Sequence, residues 1–150
     1  MKSNDAAAKK LAIDEFLPYL LAHASTLISR QIDEIAAAEN MSRNECKVLL
    51  TLLNRGGVSL NELAEIMIIK QPTLSRIVDA MVEAGWLARK VVAEDRRAVN
   101  ISLTNAGHLQ AEPLLVHARK MDAAIKQNFG AKQSEQLKKM LSDLIVAESN

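Results

Sequence analysis

Arg76 stands in the run Lys70-Gln71-Pro72-Thr73-Leu74-Ser75-Arg76-Ile77-Val78, where polar and apolar residues alternate at helical spacing. Leu74, Ile77, Val78, Met81 and Val82 fall at i, i+3, i+4, i+7 and i+8, one stripe of an α-helix. At about 100° of turn per residue, Arg76 points away from that stripe, with Thr73 and Ser75 on its flanks. Short hydroxyl and amide side chains around a guanidinium are suited to base edges and phosphates rather than to making or breaking bonds. A second basic cluster follows at once, Arg89 and Lys90 and then Ala93-Glu94-Asp95-Arg96-Arg97. Such a helix can enter a major groove while a basic hairpin beside it reaches sugar–phosphate or the adjacent minor groove. The candidate DNA-contacting residues are therefore Lys70, Gln71, Thr73, Ser75, Arg76, Arg89, Asp95, Arg96 and Arg97.

These side chains need elements to hold them. Pro72 suits the first turn of a helix, where its missing N–H costs nothing, and Gly85 supplies the left-handed residue that commonly ends one. Val99, Ile101 and Leu103 alternate with Asn100 and Ser102 as in a half-buried strand, and Trp86 to Val92 makes its partner. Residues 93–97 then form a charged hairpin tip. Upstream, Ser59 and Glu62 have capping-box spacing and open a short helix through about Met67, with Leu60, Leu63, Ala64 and Met67 facing inward. A turn near Ile68–Gln71 joins it to the next helix, which makes a helix-turn-helix. Ser42 and Glu45 repeat the device and open a helix through Leu53, broken by Gly56-Gly57.

The Pro72-Thr73-Leu74-Ser75-Arg76 core, Asp79, Gly85, and Asp95-Arg96-Arg97-Ala98 leading to Leu103-Thr104 and Gly107 resemble the winged helix-turn-helix of the MarR family of bacterial transcriptional regulators. Length and helix order extend the resemblance over nearly the whole chain. It implies that Asp95 orients Arg97 for entry into the minor groove. Lys70 departs from the small capping residue usual before this helix in the family, and a lysine there can contact phosphate. The expected fold is mainly α with a small β-hairpin wing, and residues 42–103 form the DNA-binding lobe.

The flanks are helical. Met1 to Lys10 reads as a frayed tail or helix start. From Leu11 to Glu39 the apolar residues keep to one broad face, and Asn40 is a reasonable stop. Pro18 either kinks this helix or marks its true first turn. After the wing, Thr104 caps a helix running to Gly130, with Gly107 tolerated in its first turn and Pro113 bending it. Leu137, Met140, Leu141, Leu144 and Ile145 make a final amphipathic helix. The terminal segments, 11–40 and 104–150, carry more oily surface than a lone winged helix buries. The resemblance implies that they interlock two copies into a homodimer, which would read a pseudo-palindromic operator.

Composition narrows the class. Of 150 residues, 49% are hydrophobic and 25% charged, which argues for one folded domain with a soluble surface. Net charge is only +1, so DNA binding must rest on local charge. There is no membrane span or signal peptide, which makes the cytoplasm the expected compartment. Cys46 is the single cysteine, so no internal disulfide forms, and it reads as a small buried hydrophobe. No zinc spacing, phosphate loop or nucleophile–histidine pair stands out, so neither a cofactor nor an enzyme is expected.

The resemblance also implies a cleft for small aromatic acids between the dimer helices and the DNA-binding lobe. Tyr19, His23, Arg43 and His117 could hold a carboxylate or phenol there, or be ordinary surface and interface residues. The expected function is a sequence-specific regulator of transcription, a repressor released by a small ligand. The rival expectation is a winged helix used only for protein contact.

Overall fold

In a computed structural model, the chain is described over residues 13–92 and 95–148, side chains at 92–98 excepted. The expected tail at Met1–Lys10 and the helix start at Leu11 lie outside the described residues. A 3-10 turn at Ile13–Glu15 precedes α1 (Leu17–Ala38), and Pro18 sits in the first turn of that helix. Of the two readings of Pro18, the second therefore holds: a separate turn precedes the true helix start. α2 (Arg43–Arg55) opens with a complete capping box, in which the Ser42 hydroxyl accepts from Glu45 N–H and the Glu45 carboxylate accepts from Ser42 N–H.

Next come β1 (Val58–Ser59), α3 (Leu60–Met67), α4 (Gln71–Glu83), β2 (Leu87–Val92), β3 (Asp95–Leu103), α5 (Asn105–Phe129) and α6 (Ala131–Glu148). The hairpin expected from alternation is present, with Leu87 opposite Leu103 and Lys90 opposite Asn100. It has a third member. β1 pairs antiparallel with β3, Val58 opposite Ile101, giving the order β1-β3-β2. Two residues are too few to announce a strand by alternation; Val58, 4% exposed, is recruited by the core beneath it. Asp95, Arg96 and Arg97 were expected in the hairpin tip, but their backbone belongs to β3.

The core is built where α2, α3, α4, the sheet and the start of α5 meet. Val48, Leu49, Leu63, Leu74, Val78 and Met81 are all completely buried. Three helices end on one device, in which a left-handed residue lets the next N–H reach back to a carbonyl five positions earlier. Asn40 (φ 54°) does this for α1, Ile68 (φ 55°) for α3 and Gly85 (φ 78°) for α4. The returning bonds are Met41 to Ala36, Ile69 to Ala64 and Trp86 to Met81, at 2.8, 3.1 and 2.9 Å. Glycine and asparagine take this conformation at least cost, whereas other L-residues lose about 1–2 kcal/mol in it.

The corner between α4 and α5 is tight. Thr104 N–H donates to the Trp86 carbonyl, and its hydroxyl donates to the Gly85 carbonyl at 2.6 Å and accepts from Gly107 N–H at 3.0 Å. Gly107 is not merely tolerated there. A β-carbon on it would lie 2.0 Å from the Trp86 carbonyl oxygen, so only glycine lets α5 approach. α5 then continues as helix through Pro113. Leu109 and Phe129 are 67% and 53% exposed, while Ala111 and Leu114 are buried.

Candidate nucleic-acid interface

α4 carries the first cluster. Leu74, Val78 and Met81 lock its inner face into the core, which turns Thr73 and Arg76 into solvent and leaves Ser75 half-buried at the edge. Arg76 has no carboxylate partner among the described residues. Lys70 is exposed at the N-cap and makes no side-chain cap, so the absence of a small capping residue has a structural counterpart. The first turn of α4 therefore presents a positively polarised end, without a side-chain cap, beside the exposed Lys70. Gln71 is held differently, its Nε2 donating to Asn61 Oδ1 at 2.7 Å and tying the first turn of α4 to that of α3.

The wing is fixed to the same helix. Arg89 lies opposite Ile101 in the sheet, on the face turned toward the helices, and its guanidinium meets the Asp79 carboxylate at 2.6 Å. Arg89, expected among the DNA-contacting residues, is paired with Asp79 and braces β2 against α4. Lys90 lies on the other face, opposite Asn100. The side chains of Asp95, Arg96 and Arg97 lie outside the described residues, and their backbone continues β3 beyond its pairing with Val91 at Val99. An exposed ion pair contributes about 0–1 kcal/mol, and its use here is orientation. Asp79→Ala and Arg89→Ala should each lower stability by less than about 1 kcal/mol, with the double variant no worse than either single one. Additive losses in thermal melts would show that the pair does not couple wing to helix.

The four residues expected to hold an effector are not gathered in one place. Tyr19 and His23 lie one turn apart on exposed α1, their rings 5.8 Å apart and tilted by 50°. Arg43 is committed to Asp33 of α1, through Nε at 2.6 Å and a second, closer contact from its terminal nitrogen. That guanidinium holds the Asp33 carboxyl below the usual carboxylate range. The hydrogen-bonding contribution is therefore present above the ordinary carboxylate pKa and lost as pH falls through the lowered value. His117 is half-buried on α5.

A hollow of about 250 Å³ instead opens among α1, α2 and α5, walled by Ile32, Ile35, Cys46, Leu114 and Met121, with Lys47 and Asp122 in its lining. No sequence pattern marks it, because its walls come from three helices far apart in the chain. Cys46, 2% exposed, is the buried small hydrophobe expected, and burial first, then the Glu45 charge, pushes its thiol up, away from the reactive thiolate.

A helix set across a shorter one by a three-residue turn, with a β-hairpin pinned to its flank, defines a winged helix-turn-helix. The MarR family profile matches residues 41–99, which hold both helices and most of the hairpin of this unit. Over that segment the chain is similar to MarR-family proteins. PecS of Dickeya dadantii (strain 3937), an HTH-type transcriptional regulator, is 36% identical over 90 residues. That match covers 58% of this chain and 54% of PecS, so the chain spans about half the length of this relative. Among solved structures, NadR in complex with 4-hydroxyphenylacetate is similar at a TM-score of 0.78 and 24% identity, over 83% of this chain and 88% of NadR. A MepR mutant from S. aureus bound to an oligodeoxyribonucleotide aligns at a TM-score of 0.57 and 21% identity, over 88% of this chain and 97% of that one. At these identities the structural likenesses show the fold. Among the described residues, no helix is long and apolar enough to cross a membrane.

Proposed function

We propose that this chain is a homodimeric regulator of transcription that binds double-stranded DNA in the cytoplasm and acts as a repressor released by a small aromatic acid or phenol. One observation carries the reading: Arg76 is exposed, without a carboxylate partner among the described residues, on the outer face of a helix whose inner face is locked, beside a hairpin tied to that same helix. In this reading α4 enters the major groove, with Thr73, Ser75 and Arg76 facing base edges or phosphates and Lys70 and Gln71 at its leading end. Arg96 and Arg97 follow on the wing, Asp95 orients Arg97 toward the minor groove, and Arg89 is a positioning residue. The DNA-bound MepR relative supports this reading, as does the regulator description of PecS. A mobility shift on the chain's own upstream intergenic DNA tests it against a scrambled duplex of equal length. Equal affinity for both refutes sequence-specific reading, and no shift with either favours the protein-contact alternative.

The dimer has its own support. Leu17, Leu20 and Leu27 of α1 and Met140, Leu144 and Ile145 of α6 are between 37% and 68% exposed, an oily surface that a protomer alone leaves in water. We take 11–40 and 104–150 as dimerisation segments and 42–103 as the DNA-binding lobe. Two lobes then address half-sites about 34–36 Å apart. Sedimentation should give a dimer at micromolar concentration, and a stable monomer there would overturn this part.

For the effector, the hollow beside Cys46 and Lys47 is the favoured place, since it is apolar and has a cation within reach of a carboxylate. NadR, a relative in fold, is bound to 4-hydroxyphenylacetate, which is of that class. Arg43 is taken up by Asp33, and Tyr19 and His23 fall on the helix assigned to dimerisation. A ligand binding there need only prefer a dimer in which the two α4 helices no longer match successive grooves.

A further inference from the structure

We propose that Ile68 is an apolar contact to the DNA duplex, placed at the turn that delivers α4 to the groove. The inference rests on the DNA-binding reading above. Three helices share one left-handed ending, and two of them use the residue types that accept it most readily, Asn40 and Gly85. The third uses a β-branched residue, for which a positive φ is a genuine outlier. Packing does not account for it. Ile68 is 91% exposed, the most of any large hydrophobic among the described residues. Its neighbour Ile69 packs against the core and already anchors the turn.

A single exposed isoleucine needs no explanation, but one that is also held in a disfavoured backbone does. Such outliers concentrate where a ligand is gripped. This one lies two residues before Lys70, whose ammonium is exposed, and three before Gln71, where α4 begins. The exposed residues that follow, Lys70, Gln71, Thr73 and Arg76, are polar apart from Pro72, and Ile68 adds a large aliphatic group beside the start of α4. A duplex offers apolar C–H surface to such a group in two forms, the thymine methyl in the major groove and the deoxyribose along its wall. The first carries sequence and the second does not.

The test uses the full chain and a duplex from its own upstream region that the wild-type protein shifts. Ile68→Gly and Ile68→Asn both suit the left-handed turn and lack the aliphatic group, while Ile68→Val retains most of it. Ile68→Gly should raise Tm by about 2–4 °C. Both variants should nonetheless weaken duplex binding by about five- to tenfold, with Ile68→Val within about twofold of wild type. Replacing thymines singly with deoxyuridine separates the two sources. Loss at one thymine per half-site, absent in Ile68→Gly, assigns the methyl; no loss at any thymine, with the variants still weak, assigns the sugar. Wild-type affinity in both Ile68→Gly and Ile68→Asn overturns the proposal while leaving the DNA-binding reading intact. Failure of the wild-type protein to bind any duplex overturns that reading, and this inference with it.

Discussion

Replacing Gly107 with alanine is expected to lower stability by about 2–4 kcal/mol, a fall in Tm of roughly 5–15 °C. The added methyl would lie 2.0 Å from the Trp86 carbonyl oxygen and 3.0 Å from its carbon. Both are backbone atoms held by Thr104 N–H and hydroxyl, so neither can rotate aside. Alanine's better helix propensity returns about 1 kcal/mol, too little to offset a displaced helix end. Gly57→Ala is the control. Its β-carbon would meet nothing closer than 3.7 Å and its φ is not positive, so a change within about 0.5 kcal/mol is expected. Differential scanning calorimetry of the two variants decides the matter, and equal Tm values would show that the close approach at Gly107 carries no stability. The same corner joins α5 to the end of α4, so a shift there also moves α4 relative to the proposed dimer helices.

Arg76→Ala is expected to cost about 1–3 kcal/mol of operator affinity per half-site and to leave the melting curve near that of wild type. The side chain is exposed and unpaired among the described residues, so its removal opens no cavity and strands no charge. Arg97→Ala should weaken binding through the wing, again with the dimer folded. The two losses differ in kind. If Arg76 reads a base, its loss relaxes specificity at one position of each half-site. If Arg97 enters the minor groove, its loss weakens A·T-rich flanks most, where a narrow groove attracts arginine. Competition binding against single-base operator variants distinguishes them. Unchanged affinity in both variants would remove the contacts on which the proposed function depends.

Much of this arrangement could be read before any coordinates. The stripe from Leu74 to Val82 fixed which way Arg76 faces, and the S-x-x-E pairs at Ser42 and Ser59 marked two helix starts to within a residue. Alternation from Val99 to Leu103 gave one strand of the wing. What stayed hidden depends on contacts between distant segments. Nothing near Gly107 in sequence reveals the Trp86 carbonyl against which it packs, and nothing near Asp79 reveals Arg89. Arg43 looked available for a ligand until Asp33, ten residues upstream, was brought alongside it. The hollow beside Cys46 takes its walls from three helices, so no local pattern could outline it. Ile68 was legible only as part of a turn; its left-handed backbone became apparent when α3 was seen to end as α1 and α4 do.

The most direct measurement is duplex affinity across a salt series, wild type beside Arg76→Ala. If the proposed contacts set cations against a polyanion, the logarithm of affinity should fall linearly with the logarithm of salt concentration, at about 0.9 per phosphate contact. The variant should bind its operator more weakly at every salt concentration while remaining dimeric. An affinity indifferent to salt, or identical lines for the two proteins, would contradict the account.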